Sequence, residues 1–223
     1  MIDGEAFLLS LRLAGATALI LLPIGLWLGR WLAFGRFRGR GLVEALVTLP
    51  LLLPPTVLGY YLLQSFTGTA PLGALFEALA GTPLAFSFAG LLLACTIVNL
   101  PFAVQPMQRA FEAIPRDVRE AAAVSGLSPY AAFLKVELPL ALPGVVTGLV
   151  LTFAHTIGEF GVVLMVGGAI PGETRTAAIA IYDRVQAFDM VAAGRMSVLL
   201  LLLSIGAILA VQRLGRREQP HHG

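Results

Sequence analysis

A chain of 223 residues that is 57% hydrophobic and 13% charged, with mean hydropathy +0.86 and a formal net charge of +2, is too apolar for a soluble domain, where about a quarter of residues are charged. The composition points to an all-α integral membrane protein, one transmembrane domain over 1–223, with room for about five spans of roughly 20 residues. The single cysteine, Cys95, lies in an apolar run and excludes any disulfide within the chain.

Five segments are long and apolar enough to cross: about 7–33, 42–66, 84–107, 138–166 and 191–214. Each is continuously apolar and not alternating, which favours helices over a barrel. The first has no basic stretch before it and exceeds the core of a cleavable signal, so it is expected to be retained as a span. The second concentrates Pro50, Pro54 and Pro55 and predicts a functional bend; Pro23, Pro101, Pro106 and Pro143 lie singly in other spans. The stretches around 66–83 and before 191 read as loops.

Basic residues are unevenly placed. Arg30, Arg36, Arg38 and Arg40 follow the first span, Arg109, Arg116, Arg119 and Lys135 lie between the third and fourth, and Arg213, Arg216 and Arg217 end the chain. That is eleven of the 15 lysines and arginines on one side. The other side has only Arg175 and Arg184 in its loops, with Arg12 and Arg195 near span ends where they can snorkel. The positive-inside bias makes the rich side cytoplasmic, with the N-terminus outside and the C-terminus inside.

Between the third and fourth spans, over about 109–137, lies a polar island that folds as helix, turn, helix. Pro115 suits the first helical position and Asp117 complements the dipole in the first turn. Gly126 fits the left-handed position past a helix end, and Ser128-Pro129 restarts a helix as N-cap and first residue. Val118, Ala121, Ala122 and Ser125 share one face by their spacing, a small, mildly apolar surface suited to a groove on another protein, with Glu120 at its edge. A lipid-seeking helix would carry bulky anchors that this face lacks.

Glu120-Ala121-Ala122, three residues, Gly126, nine residues, then Val136-Glu137-Leu138-Pro139 resembles the coupling loop of the permease subunits of binding-protein-dependent ABC importers, with Val136 where that pattern has isoleucine. The resemblance extends over most of the chain, because five spans with the loop between the third and fourth also fit that family. It implies that Val118, Glu120, Ala121, Ala122, Gly126 and Pro139 belong to a coupling helix and its flanks, docked on a separate ATPase. It also implies two copies of that ATPase, an external oxyanion-binding protein, and a second copy of this chain in a lipid bilayer. Nucleic acid is not expected as a partner. The sequence holds no Gly-x-x-x-x-Gly-Lys-Ser/Thr phosphate loop, so this chain is expected to bind no cofactor and to be no enzyme, with ATP and Mg used by the partner.

In the fourth span Gly148, Thr152, His155 and Glu159 recur at intervals of 4, 3 and 4 and share a face, with Thr156 beside them. Gly144 and Gly148 form a small-x-x-x-small pair that allows close helix approach. Glu159, about 20 residues or roughly 30 Å into the span, is expected near the outer mouth in a structural or gating role. Thr56, Asn99, Thr152, His155, Thr156 and Glu159 are the candidates for a pathway or gate. The run Ile157-Gly158-Glu159-Phe160-Gly161 resembles oxyanion permeases in general. Pro171-Gly172-Glu173-Thr174-Arg175-Thr176 and Leu52-Leu53-Pro54-Pro55-Thr56-Val57-Leu58-Gly59-Tyr60-Tyr61 are closer to the molybdate type. The resemblance implies import of molybdate, with tungstate as its companion, through the inner membrane; a sulfate or thiosulfate permease is the alternative. An ion-gradient-driven transporter is a competing class, but His155 and Glu159 alone make a meagre relay and no repeat is evident.

Overall fold

The computed structural model describes residues 2–216, with side-chain surroundings as far as residue 209. Arg217 and the His221-His222 pair lie outside the described residues, as do the side chains of Arg213 and Arg216. The elements in order are α1 (Gly4–Phe34), α2 (Arg40–Leu52), α3 (Pro55–Phe66), α4 (Pro71–Ala80), α5 (Phe88–Glu112), α6 (Arg116–Val124), α7 (Pro129–Ala132), a π-helical stretch (Phe133–Glu137), α8 (Leu138–Gly158), α9 (Gly161–Gly167), α10 (Ala177–Gln186) and α11 (Met190–Arg216). No strand occurs among the described residues. The chain is an all-α membrane protein: among the described residues α1, α5, the rod Pro129–Gly158 and Met190–Leu209 are each long and apolar enough to cross, and the bent pair of α2 with α3 counts as a fifth when taken as one broken span.

The centre is the triad α1–α5–α8. Helix α5 contributes Leu91, Ala94, Cys95, Ala103, Val104, Met107 and Phe111, all fully buried. Glycines bring its neighbours onto it. A Cβ on Gly29 of α1 would lie 3.0 Å from the Gln108 nitrogen, and one on Gly148 of α8 would lie 2.9 Å from the Ala103 carbonyl oxygen. A Cβ on Gly144 would stand 2.7 Å from the Pro106 carbonyl oxygen. The small-residue pair of the fourth span therefore does what its spacing suggests, admitting the backbone of α5. Helix α11 buries Ala192, Ala193 and Met196 and packs Leu199, Leu200 and Leu203 on the same cluster; Val198, Leu201, Leu202, Ile205, Ile208 and Leu209 face outward, as suits lipid.

Four features differ from the linear reading. The second span is two helices meeting at 109°. Pro54 and Pro55 hold the chain extended at Leu53 (ψ 138) and Pro54 (ψ 136), because proline's ring excludes the helical region for the residue before it. The predicted bend is thus a full break. The fourth span does not run unbroken to residue 166. It stops at Gly158, Glu159 turns extended (ψ 127), and α9 starts at Gly161. The expected loops contain α4 and α10, and the Ser10 hydroxyl of α1 accepts from the Ala177 N–H at 2.8 Å to anchor α10. Pro115 occupies the N-cap, not the first helical position, since its ψ of 142 is extended and the helix opens at Arg116.

Candidate functional site

The polar island forms at one end of the bundle with its turn as expected. Gly126 is left-handed (φ 81) and its N–H donates to the Ala123 carbonyl at 3.2 Å. Ser128 caps α7 by accepting from the Ala131 N–H at 3.2 Å. The outward side of α6 carries Val118, Glu120, Ala121 and Val124, the last 88% exposed. Among the described residues Glu120 pairs with Arg116, at 2.5 Å between two exposed groups, a contact worth at most about 1 kcal/mol. The expected face is split, however. Ala122 is buried against its own chain while Val118, Ala121 and Ser125 are exposed, because residues four apart stand about 40° apart around the helix.

Pro139 sits in the first turn of α8 and lacks the N–H that would bond four residues back. The ladder just before it widens, so that the Leu138 N–H reaches the Phe133 carbonyl five residues away. At the end of this π-helical stretch Glu137 turns inward and is 5% exposed. Arg30 of α1 grips it with two of its three guanidinium nitrogens, Nε to Oε2 at 2.5 Å and one terminal nitrogen to Oε1 at 3.2 Å. Arg119 of α6 approaches Oε1 at 3.6 Å, its guanidinium carbon 3.5 Å from the Phe34 ring centre. Sequence reading missed this cluster, using both arginines only for orientation. The available signal was a lone acid beside Leu138-Pro139 at the head of an apolar run.

The candidate pathway residues lie where the two broken spans meet. A Cβ on Gly161, at the start of α9, would be 2.7 Å from Pro55 Cβ, and one on Gly59 of α3 would be 2.8 Å from Met165 Cβ. Pro50, Leu53, Pro55, Phe102, His155 and Glu159 border a cavity of about 150 Å³ at this junction. The Asn99 amide donates to the Cys95 carbonyl at 2.8 Å, which leaves its oxygen to accept from His155 Nδ1 at 3.0 Å. The imidazole stacks on Phe102 with centroids 4.2 Å apart and stands 3.9 Å from Glu159 Oε2. Glu159, expected near the outer mouth, is buried within the described chain. The break at Gly158 turns it back so that Oε1 accepts from the Val162 N–H at 3.1 Å and caps α9. Thr56 is exposed at the bend, whereas Asn99, Thr152 and Thr156 are enclosed by the chain's own packing. Thr156 donates back to the Thr152 carbonyl at 2.7 Å. His155 and Glu159 thus meet at the junction, with Asn99 holding the imidazole, whereas Thr56 is exposed and is not among the residues bordering the cavity.

Residues 22–218 match the family described as binding-protein-dependent transport system inner membrane component. The chain belongs to that family. As a member it is a multi-pass membrane component of a transport system, not the system's catalytic part. It is 48% identical over 187 residues to the molybdenum transport system permease protein ModB of Azotobacter vinelandii, covering 84% of this chain and 83% of that one. It is 33% identical to the protein of the same name from Escherichia coli K12, covering 99% and 97%. The probable sulfate transport system permease protein cysT of Nephroselmis olivacea is 32% identical, covering 93% and 72%. Among solved structures the MetNI methionine ABC transporter, inward facing, superposes with a TM-score of 0.76 at 21% identity, covering 98% of this chain and 97% of that chain. A bacterial alginate ABC transporter in complex with an alginate-bound periplasmic protein superposes with a TM-score of 0.76 at 17% identity, covering 96% and 78%. At these identities the two structures speak for the fold alone.

Proposed function

We propose that this chain is the permease subunit of an ATP-driven importer that carries molybdate, with tungstate as a companion ion, across the inner membrane. The observation that carries the reading is the capped helix–turn–helix of 116–132, which presents Glu120, Ala121 and Val124 outward at the arginine-rich end. By the positive-inside rule that end faces the cytoplasm, where an ATPase works. Two ATPase copies using ATP and Mg would dock there, one on each copy of a permease dimer, and an external oxyanion-binding protein would deliver cargo to the opposite end. Closure of the ATPase pair would draw the two α6 helices together and rock the spans between inward- and outward-open states. The junction of the two broken spans, with Thr56, His155 and Glu159, is the proposed gate, since broken helices in membranes are tolerated where they are buried or line a pathway. The molybdate assignment rests on the relative at 48% identity, against 32% for the sulfate-type relative.

The test is uptake of labelled molybdate into vesicles holding this chain with its ATPase and binding protein. Uptake requires ATP and the binding protein. Uptake driven by a proton gradient without ATP would sink the reading, and sulfate outcompeting molybdate would replace the cargo.

A further inference from the structure

We propose that Glu137 is a positioning residue that carries movement of α6 into the transmembrane bundle, a role resting on the reading of α6 as the ATPase-docking helix. Three elements meet at its carboxylate: Arg30 from α1, Arg119 from α6, and Glu137 itself at the head of α8. The two arms are unequal. The Arg30 arm is closed by two hydrogen bonds, whereas Arg119 Nε stands 3.6 Å from Oε1 and, although buried, has no hydrogen-bond partner. A purely structural clamp would close both arms, because a buried unmatched donor is unfavourable. The open arm is the one toward the helix expected to move. A shift of α6 by less than about 1 Å brings Arg119 to charged hydrogen-bond distance.

The surroundings suit a sliding contact. Arg119 sits over the Phe34 ring, and Arg30 sits 5.7 Å from the ring centres of both Phe34 and Phe133. A planar guanidinium can translate over an aromatic face while keeping its cation–π attraction. The π-helical stretch Phe133–Glu137, which ends on this acid, is a local departure from the α-helical ladder of the kind found at functional sites. Arg119 closing on Glu137 therefore pulls the head of α8 toward α6 while Arg30 keeps it tied to α1.

The experiment uses the full complex in proteoliposomes and reads ATP hydrolysed per molybdate transported, together with ATPase retained on the purified permease. Arg119→Gln leaves the bidentate Arg30–Glu137 pair intact, so the variant is expected to insert and to keep its ATPase. It should need about tenfold more ATP per ion, the fold-change of one charged hydrogen bond. Glu137→Gln is expected to uncouple at least as much, and Arg119→Lys, which restores charge without the planar fork, to recover part of the ratio. Normal coupling in Arg119→Gln overturns the proposal, as does loss of the ATPase from it, which would make the cluster a scaffold for docking. Glu120→Lys is the separate control. If it binds the ATPase as wild type does, the docking reading falls whatever the Glu137 variants do.

Discussion

Gly126 offers a graded test of the turn that shapes the proposed docking surface. Its φ of 81 lies in the left-handed region, and a Cβ built there meets nothing within 4 Å. A side chain at 126 is therefore unfavourable through the backbone alone, by about 1–2 kcal/mol for an L-residue. That energy corresponds to roughly a 5–30-fold change in an equilibrium constant. If the undocked loop relaxes, the apparent affinity for the ATPase falls by up to that factor, because only correctly turned loops bind. Gly126→Asn, which tolerates the left-handed region, should lose much less than Gly126→Ala. Gly126→Pro must swing φ to about −65° and gives up the N–H bonded to the Ala123 carbonyl, so it should abolish docking. Titrating the ATPase onto permease variants in nanodiscs ranks them glycine, asparagine, alanine, proline. Equal losses for asparagine and alanine, or wild-type affinity for proline, would refute the reasoning.

Two further outcomes are expected. Cysteine placed at Glu77 should react with an impermeant thiol reagent from outside and cysteine at Glu120 only from inside; background should be low because native Cys95 is fully buried, and the reverse pattern would invert the orientation. Glu159→Gln keeps an acceptor for the Val162 N–H and should melt near wild type, whereas Glu159→Ala should lose about 1 kcal/mol, as for a helix cap. Thermal unfolding in detergent separates them, and equal midpoints would remove the capping role.

The spans, the Gly126 turn and the Ser128 cap were legible in sequence because each depends on local composition or on one residue's backbone preference. The Pro54-Pro55 pair announced a bend, but its angle is set by how α3 packs on α9 through Gly59 and Gly161, which no local rule contains. The break after Gly158 was invisible for the opposite reason. Residues 159–166 are as apolar as a continuing helix apart from Glu159, and that acid was read as a mouth residue because a straight rod put it there. The Glu137 cluster joins residues 107 apart in sequence. Periodicity on a single helix carries no information about such a contact.

Glu137 and Glu159 flank the 21 residues of α8, about 31 Å of helix. One acid meets Arg119 of α6, the proposed docking helix, and the other caps α9 just past the break. Between them Gly144 and Gly148 seat α8 so closely on the α5 backbone that a Cβ has no room. Helices in such contact shift together more readily than they separate, because close-packed interiors transmit displacement and resist dilation. On the coupling proposed for Glu137, a pull on the head of α8 would therefore reach Glu159 as motion of the α5–α8 pair. The contacts able to yield are at the junction with α3, where the backbone is already broken on both sides and a cavity already exists.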